Sequence, residues 1–288
     1  MTAGHGSYYI PNPSPWPIIT MAALLCLMIG LALSINGFGV GWVPLAVGLA
    51  LLARLLYGWF GDVVHENLSG RYNDQVDRSF RQGMMWFIAS EVFFFLSFFG
   101  ALFYLRTIAV PWLGGHGYLG DSHSLLYDHF TAQWPTAGPG ELGGPFEPMH
   151  AWGIPAINTA ILLSSGVTIT IAHWGLKLGR RKVLVGWLAA TIGLGLLFVT
   201  LQAWEYYHAY HALNLTLGSG VYGSTFFMLT GFHGFHVTMG AVMLMAILAR
   251  AMKQHFTPHN HFAFEAVAWY WHFVDVVWLG LFVFVYWL

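Results

Sequence analysis

The chain has 288 residues, 57% of them hydrophobic and only 8% charged, with a mean hydropathy of +0.61. A soluble globular domain carries roughly 25% charged residues, and one core of this size could not bury so much apolar surface. With 11 Lys and Arg against 12 Asp and Glu, the chain has no basic surface for nucleic acid. We therefore predict an integral membrane protein, whose single cysteine, Cys26, excludes an internal disulfide and a two-thiolate metal site.

Seven continuous apolar stretches are long enough to cross a bilayer, which takes about 20 helical residues. Continuous runs favour helices over the strands of a β-barrel, in which apolar and polar residues would alternate. The predicted spans are residues 16–35, 42–60, 82–106, 152–173, 183–204, 222–249 and 264–287. The predicted fold class is all-α, with seven transmembrane helices.

Two longer connectors suggest how the spans are grouped. The polar stretch 67–81 is predicted to separate an N-terminal unit, residues 1–66 with the first two spans, from a five-helix bundle at 82–288. The stretch 108–151 is rich in Gly and Pro, which predicts an irregular external loop.

Most cations lie in connectors on one side of the predicted bundle. Nine of the eleven Lys and Arg residues fall between spans two and three, four and five, or six and seven. The positive-inside rule assigns this side to the cytoplasm or matrix. The N-terminus is then inside and the C-terminus outside.

Three ionisable residues fall near the middle of predicted spans, where an unpaired charge costs several kcal/mol. At 1.5 Å per residue, Glu91 lies ~14 Å from its span end, and His233 and Asp275 each lie ~16 Å from theirs. Since these depths coincide, we expect that the three side chains can meet. Glu91 is predicted to be a buried carboxylate that is either proton- or lipid-linked or purely structural.

Other polar residues share helix faces at i,i+3 spacing. These pairs are His233 with His236, His272 with Asp275, and Gln202 with Glu205. We expect buried polar contacts that bridge helices, the usual role of such groups in membranes, with a proton or ligand site as the alternative. The three histidines alone are weak support for haem or copper, so we predict no catalytic residue and no metal site.

Short motifs occur in order along nearly the whole chain. They are PSPWP at 13–17, WFGDVVHE at 59–66, GM at 83–84, SEVFF at 90–94, NTA at 158–160, LSSGVT at 163–168, AH at 172–173, QAWEY at 202–206, FHGFHV at 232–237 and YWHFVDVVW at 270–278. The sequence resembles the subunit III family of the haem–copper oxidases, and within it the cytochrome c oxidase subunits III most closely.

The resemblance implies a non-catalytic accessory subunit of a proton-pumping terminal oxidase. In this family a helix pair and a five-helix bundle enclose a V-shaped cleft filled with phospholipid. The resemblance implies that the subunit stabilises the catalytic subunit and supports proton uptake, while haem and copper lie in partner subunits. Expected partners are subunit I as the main contact, subunit II, phospholipids and cytochrome c as electron donor, in a bacterial or mitochondrial inner membrane.

The resemblance also suggests roles for individual residues. Glu91 matches the buried glutamate of the family. The candidates for lipid headgroup contacts are Trp59, Asp62, Glu66 and Arg71. The chain departs from the family at His173, where two histidines are common, and in its longer external loop. The alternatives are subunit III of a quinol oxidase and a stand-alone transporter or proton channel.

Overall fold

The computed structural model describes residues 9–10, 13–117, 121–141 and 143–288. Two predicted segments lie partly outside the described residues. In the N-terminal unit these parts are residues 1–8 and 11–12, and in the external loop they are residues 118–120 and 142. Within the described part, seven helices are long and apolar enough to cross a membrane. The prediction of an all-α protein with seven spanning helices is confirmed.

Nine α-helices occur among the described residues, and all but two short ones have membrane length. They are α1 (Trp16–Ile35), α2 (Trp42–Leu68), α3 (Asp74–Tyr104), α4 (Val110–Leu113), α5 (Asp121–Leu126), α6 (Ile154–Lys177), α7 (Arg181–Ala212), α8 (Gly220–Met252) and α9 (Phe262–Leu281). A 3-10 turn at Gly39–Gly41 precedes α2. π-Helical segments at Leu105–Ala109 and Phe282–Trp287 lengthen α3 and α9.

The helices on either side of the predicted 67–81 connector are longer than the apolar runs in the sequence. Only residues 69–73 are non-helical there. Asn73 caps α3, because its side-chain Oδ1 accepts a hydrogen bond of 3.0 Å from the Val76 backbone N–H. Hydropathy misses such polar turns because capping stabilises them rather than burial.

Backbone contacts divide the chain into two compact units, one ending at Gln82 and the other beginning at Gly83. In the first unit, glycines allow α1 and α2 to approach closely. A Cβ at Gly30 would lie 2.4 Å from the Leu45 backbone nitrogen, and one at Gly48 would lie 2.8 Å from a backbone nitrogen of α1. Small residues at such positions give the close helix packing typical of membrane proteins.

Trp271 of α9 is the centre of packing in the second unit. Its side chain is fully buried, and its Nε1 donates a hydrogen bond of 2.8 Å to Ser165 Oγ on α6. Glycines on two further helices make room for the ring. A Cβ at Gly195 of α7 would lie 2.6 Å from Cη2, and one at Gly240 of α8 would lie 2.8 Å from Cε3. One aromatic side chain therefore brings four helices together.

The predicted external loop at 108–151 is partly helical, since it contains α4 and α5. Backbone hydrogen bonds attach its described residues to the ends of α7 and α8. The Tyr222 N–H donates to the Thr136 carbonyl at 3.1 Å, and the Glu147 N–H donates to the Leu213 carbonyl at 3.0 Å. This part of the loop is therefore packed on the helices of the second unit.

Candidate functional site

The carboxyl group of Glu91 on α3 pairs with the imidazole of His236 on α8. His236 Nε2 lies 2.8 Å from Glu91 Oε2, and His236 Nδ1 lies 2.6 Å from the Phe232 carbonyl oxygen one turn earlier. The His236 residue is buried, whereas 22% of the Glu91 side chain is exposed. Glu91 is therefore only partly buried, and it bridges two spanning helices.

The hydrogen-bond pattern specifies how many protons this pair carries. A carbonyl oxygen can only accept, so the hydrogen of the contact with Phe232 resides on His236 Nδ1. The contact between Nε2 and Glu91 Oε2 needs one more hydrogen, on either the ring or the carboxyl. The pair is thus a neutral histidine with a glutamic acid, or an imidazolium with a carboxylate. Neither form has a net charge, so the proton can move between the two atoms without leaving an unpaired ion in the membrane.

Aromatic side chains enclose the bundle-facing side of the pair. The buried ring of Phe95 lies edge-on to His236, with ring centroids 5.0 Å apart. The Tyr270 hydroxyl donates to the His236 backbone carbonyl at 3.2 Å. The pair is therefore shielded by the bundle core, and its exposure is mainly that of Glu91, at 22% against 10% for the His236 side chain.

His233 does not join this pair, although the sequence places it at a similar depth. Its side chain is fully buried, and neither ring nitrogen has a hydrogen-bond partner in the described structure. Its ring centroid lies 5.1 Å from that of Trp278 and 5.8 Å from that of Phe198. His233 packs as an aromatic ring instead of bridging helices by hydrogen bonds. The position of a residue along its helix gives its depth in the membrane but not the side of the helix on which its side chain lies. Glu91 therefore contacts His236, one turn after His233 on α8.

Asp275 of α9 is buried against the backbone of α6. A Cβ at Gly166 would lie 2.4 Å from Asp275 Oδ2, so glycine leaves the room that the carboxyl occupies. The same oxygen lies 3.5 Å from His272 Nδ1, and His272 Nε2 lies 3.4 Å from Thr170 Oγ1 on α6. The His272 side chain is 46% exposed. We expected His272 to be buried, but it lies on an exposed face of α9.

Gln202 and Glu205 of α7 meet Tyr286 in the π-helical segment after α9. The Tyr286 hydroxyl donates to Glu205 Oε1 at 2.7 Å, and Gln202 Nε2 donates to the same hydroxyl at 3.4 Å. All three residues are buried. Sequence reasoning missed Tyr286, because a tyrosine near the end of a span is typical of the interfacial aromatic belt.

The four candidates for lipid headgroup contacts lie in the first unit, and the two acidic ones accept side-chain hydrogen bonds there. Asp62 Oδ2 accepts a hydrogen bond of 2.8 Å from Trp16 Nε1, and Glu66 Oε2 accepts one of 2.8 Å from the Tyr72 hydroxyl. Burial and the neighbouring Glu66 carboxylate raise the pKa of Tyr72. The two remaining candidates, Trp59 and Arg71, are exposed.

Comparison with known proteins identifies the family. The family model described as cytochrome c oxidase subunit III matches residues 5–118 and 121–288. Cytochrome c oxidase subunit 3 of Cyprinus carpio is 43% identical over 282 residues, which cover 98% of this chain and 97% of the relative. The subunits 3 of Scyliorhinus canicula and Branchiostoma floridae are 43% and 41% identical over 281 residues, covering 97% of this chain and 96% of each relative.

The chain belongs to the cytochrome c oxidase subunit III family. The predicted resemblance is thereby confirmed. A member of this family is a subunit of a terminal oxidase in the respiratory chain and an integral inner-membrane protein. Haem and copper belong to other subunits of such an oxidase, and subunit III associates with the catalytic subunits I and II.

Proposed function

We propose that this subunit III stabilises the catalytic subunit of a proton-pumping cytochrome c oxidase and supports its proton uptake. Bound phospholipid and the carboxyl groups of the spanning helices would carry this role. The Glu91–His236 pair is the observation that supports the proposal best, since it holds one transferable proton between two spanning helices. An imidazole and a carboxyl group can each hold the shared proton, whereas the amide or hydroxyl of a purely structural hydrogen bond does not exchange one in this way.

The exposed faces of the first unit are compatible with a place within a larger assembly. Large apolar side chains of α1 and α2 are exposed there, and they include Ile18, Met28, Val43 and Tyr57. In a membrane such faces contact lipid tails or another subunit. Trp59 and Arg71 are the proposed contacts for phospholipid headgroups, because an aromatic ring suits the interface and a guanidinium binds phosphate.

The orientation follows from the basic connectors. We place residues 69–73, 178–180 and 253–261 on the cytoplasmic or matrix side, where lysine and arginine accumulate. The N-terminus is then inside and the C-terminus outside. Subunit I would be the main contact, with subunit II in the same complex and cytochrome c as electron donor.

Purification of the tagged chain in mild detergent is expected to recover a haem-bearing subunit in equal amount. Visible spectra should assign haem and copper to the partners, and the chain separated from them should show neither absorbance. Oxidase depleted of this chain should lose activity faster during turnover and take up protons more slowly than the intact complex.

The same preparation distinguishes the alternatives. Stoichiometric haem in the isolated chain, or proton or solute transport by the chain alone in liposomes, would contradict an accessory role. A partner subunit II with a two-cysteine copper domain indicates cytochrome c as donor, and a subunit II without it indicates a quinol oxidase.

Glu91→Gln is expected to leave assembly intact and to lower oxygen reduction by less than about tenfold, a barrier change below about 1.4 kcal/mol. A glutamine amide can donate to His236 Nε2 and so keep the bond between α3 and α8, but it cannot exchange a proton. Proton uptake, followed with a pH indicator in reconstituted oxidase, should therefore be slower than in the unchanged oxidase, whereas the amount of assembled complex should be the same. Glu91→Leu is the companion variant, since it removes the hydrogen bond as well. Complete loss of oxygen reduction in Glu91→Gln with normal haem spectra would instead make Glu91 essential.

A further inference from the structure

Three metal-ligating side chains meet where α6 ends and α9 begins. His173 lies one turn before the end of α6, His261 directly precedes α9, and Glu265 lies in the first turn of α9. One potential ligand atom from each lies within 4.8 Å of the other two. These residues are separate from the Glu91–His236 pair and from the acidic groups of α7 and α9 described above.

Both histidines direct the same ring nitrogen at one carboxylate oxygen. His261 Nε2 lies 3.2 Å and His173 Nε2 lies 3.5 Å from Glu265 Oε1. Neither Nε2 makes a hydrogen bond in the described structure. The side chains of His261, Glu265 and His173 are 9%, 13% and 20% exposed, respectively. The cluster is therefore mostly enclosed, and His173 is its most exposed member.

A backbone contact orients His261 as a ligand. Its Nδ1 lies 3.1 Å from the Thr257 carbonyl oxygen, which can only accept, so Nδ1 holds the hydrogen. In the neutral ring, Nε2 then presents its lone pair to Glu265. Metal-binding histidines are commonly held in this way by a carbonyl or carboxylate behind the ring.

A cation bound between the members of the cluster would contact all three ligand atoms. The Nε2 lone pair of a neutral His261 and the Glu265 carboxylate oxygen, 3.2 Å apart, both suit a cation placed between them. A proton satisfies one such contact, whereas a divalent ion satisfies all three ligand atoms at once. Zn²⁺ takes histidine nitrogen and carboxylate oxygen at about 2.0–2.2 Å, which puts the ligand atoms of a tetrahedral site about 3.3 Å apart. The two distances to Glu265 Oε1 agree with that spacing.

We propose that His173, His261 and Glu265 form a Zn²⁺ site that joins the end of α6 to the start of α9, with water as the fourth ligand. The ion reaches the site from the aqueous side, because both helix ends lie next to the connectors at 178–180 and 253–261. The site holds two helices of the bundle together and carries no redox chemistry.

Zinc binding by the full-length chain, purified with the subunits that accompany it, tests the proposal. After incubation with a small excess of Zn²⁺ alone and removal of free metal, elemental analysis should find one zinc fewer per chain in His261→Gln and in Glu265→Gln than in the unchanged protein. X-ray absorption at the zinc edge should assign the lost ion to two imidazoles and one carboxylate. His259→Gln is the matched control, since His259 is an exposed histidine of the same connector outside the cluster, and it should bind as much zinc as the unchanged protein.

Equal zinc content in the unchanged protein and in both cluster variants would overturn the proposal and would leave a proton as the shared cation. So would an equal loss in His259→Gln, which would indicate surface binding by the connector histidines. The measurement is independent of the accessory role, because metal content is determined whether or not a haem-bearing subunit accompanies the chain.

Discussion

Gly195→Ala is expected to destabilise the second unit, whereas Gly193→Ala, two residues earlier on α7, should leave it unchanged or slightly more stable. A Cβ at Gly195 would lie 2.6 Å from Cη2 of Trp271. That ring is fully buried and is confined on its other side by Gly240 of α8, so it has little freedom to move away. A Cβ at Gly193 meets no heavy atom within 4 Å.

The two variants differ because the cost of overpacking outweighs the gain in helix propensity. Overpacking a core costs about 1–3 kcal/mol, and alanine in place of glycine favours a helix by up to about 1 kcal/mol. Both variants gain helix propensity, and only Gly195→Ala overpacks the core. Unfolding of the purified complex by heat or by a denaturing detergent, followed through release of this chain, measures the difference. Indistinguishable curves for the two variants would show that the packing around Trp271 is looser than its contacts indicate.

Tyr286→Phe is expected to destabilise the α7–α9 contact by about 1–3 kcal/mol, the range for a buried polar group that loses its partner. Removal of the hydroxyl deprives Glu205 Oε1 of a hydrogen bond of 2.7 Å. Only 1% of Glu205 is exposed, so water cannot replace the lost donor. The expected loss therefore exceeds the ~0.6 kcal/mol average for interhelical hydrogen bonds in membranes. Equilibrium unfolding of the complex in detergent measures it.

Two further variants separate the lost bond from other effects. Tyr207→Phe removes the same hydroxyl from an exposed position on α7 and should be neutral. The double variant Tyr286→Phe with Glu205→Leu should be more stable than Tyr286→Phe alone, because it removes the buried carboxyl that has lost its hydrogen bond from Tyr286. A double variant that is less stable than the single one would mean that the remaining contact of Glu205 with Gln202 stabilises the fold more than the buried carboxyl destabilises it.

The seven spans could be predicted from the sequence because each is a local property. Length and hydropathy decide whether a segment crosses a bilayer, and α1 has the predicted bounds, Trp16–Ile35. The polar ends were less predictable. The turn of α3 capped by Asn73 depends on a side-chain hydrogen bond that hydropathy does not register.

Glu91 could also be identified as a candidate from the sequence, because an acid in the middle of an apolar run is costly wherever its helix packs. Its partner could not be identified in this way. The sequence places His233 and His236 one turn apart on α8, and both could face Glu91. Only the packing of α3 against α8 decides that His236 makes the hydrogen bond and that His233 is enclosed by aromatic rings.

The sequence by itself determined the all-helical membrane class, the order of the spans and the family, since composition, run length and short motifs need no three-dimensional information. The tertiary structure alone decided which polar groups meet. Trp271 reaches glycines on two other helices, and His173 lies within ligand distance of Glu265 although 91 residues separate them. Such contacts depend on how each helix is rotated and shifted along its axis relative to its neighbours. The packing of the folded bundle sets this rotation and shift, and no local sequence pattern does.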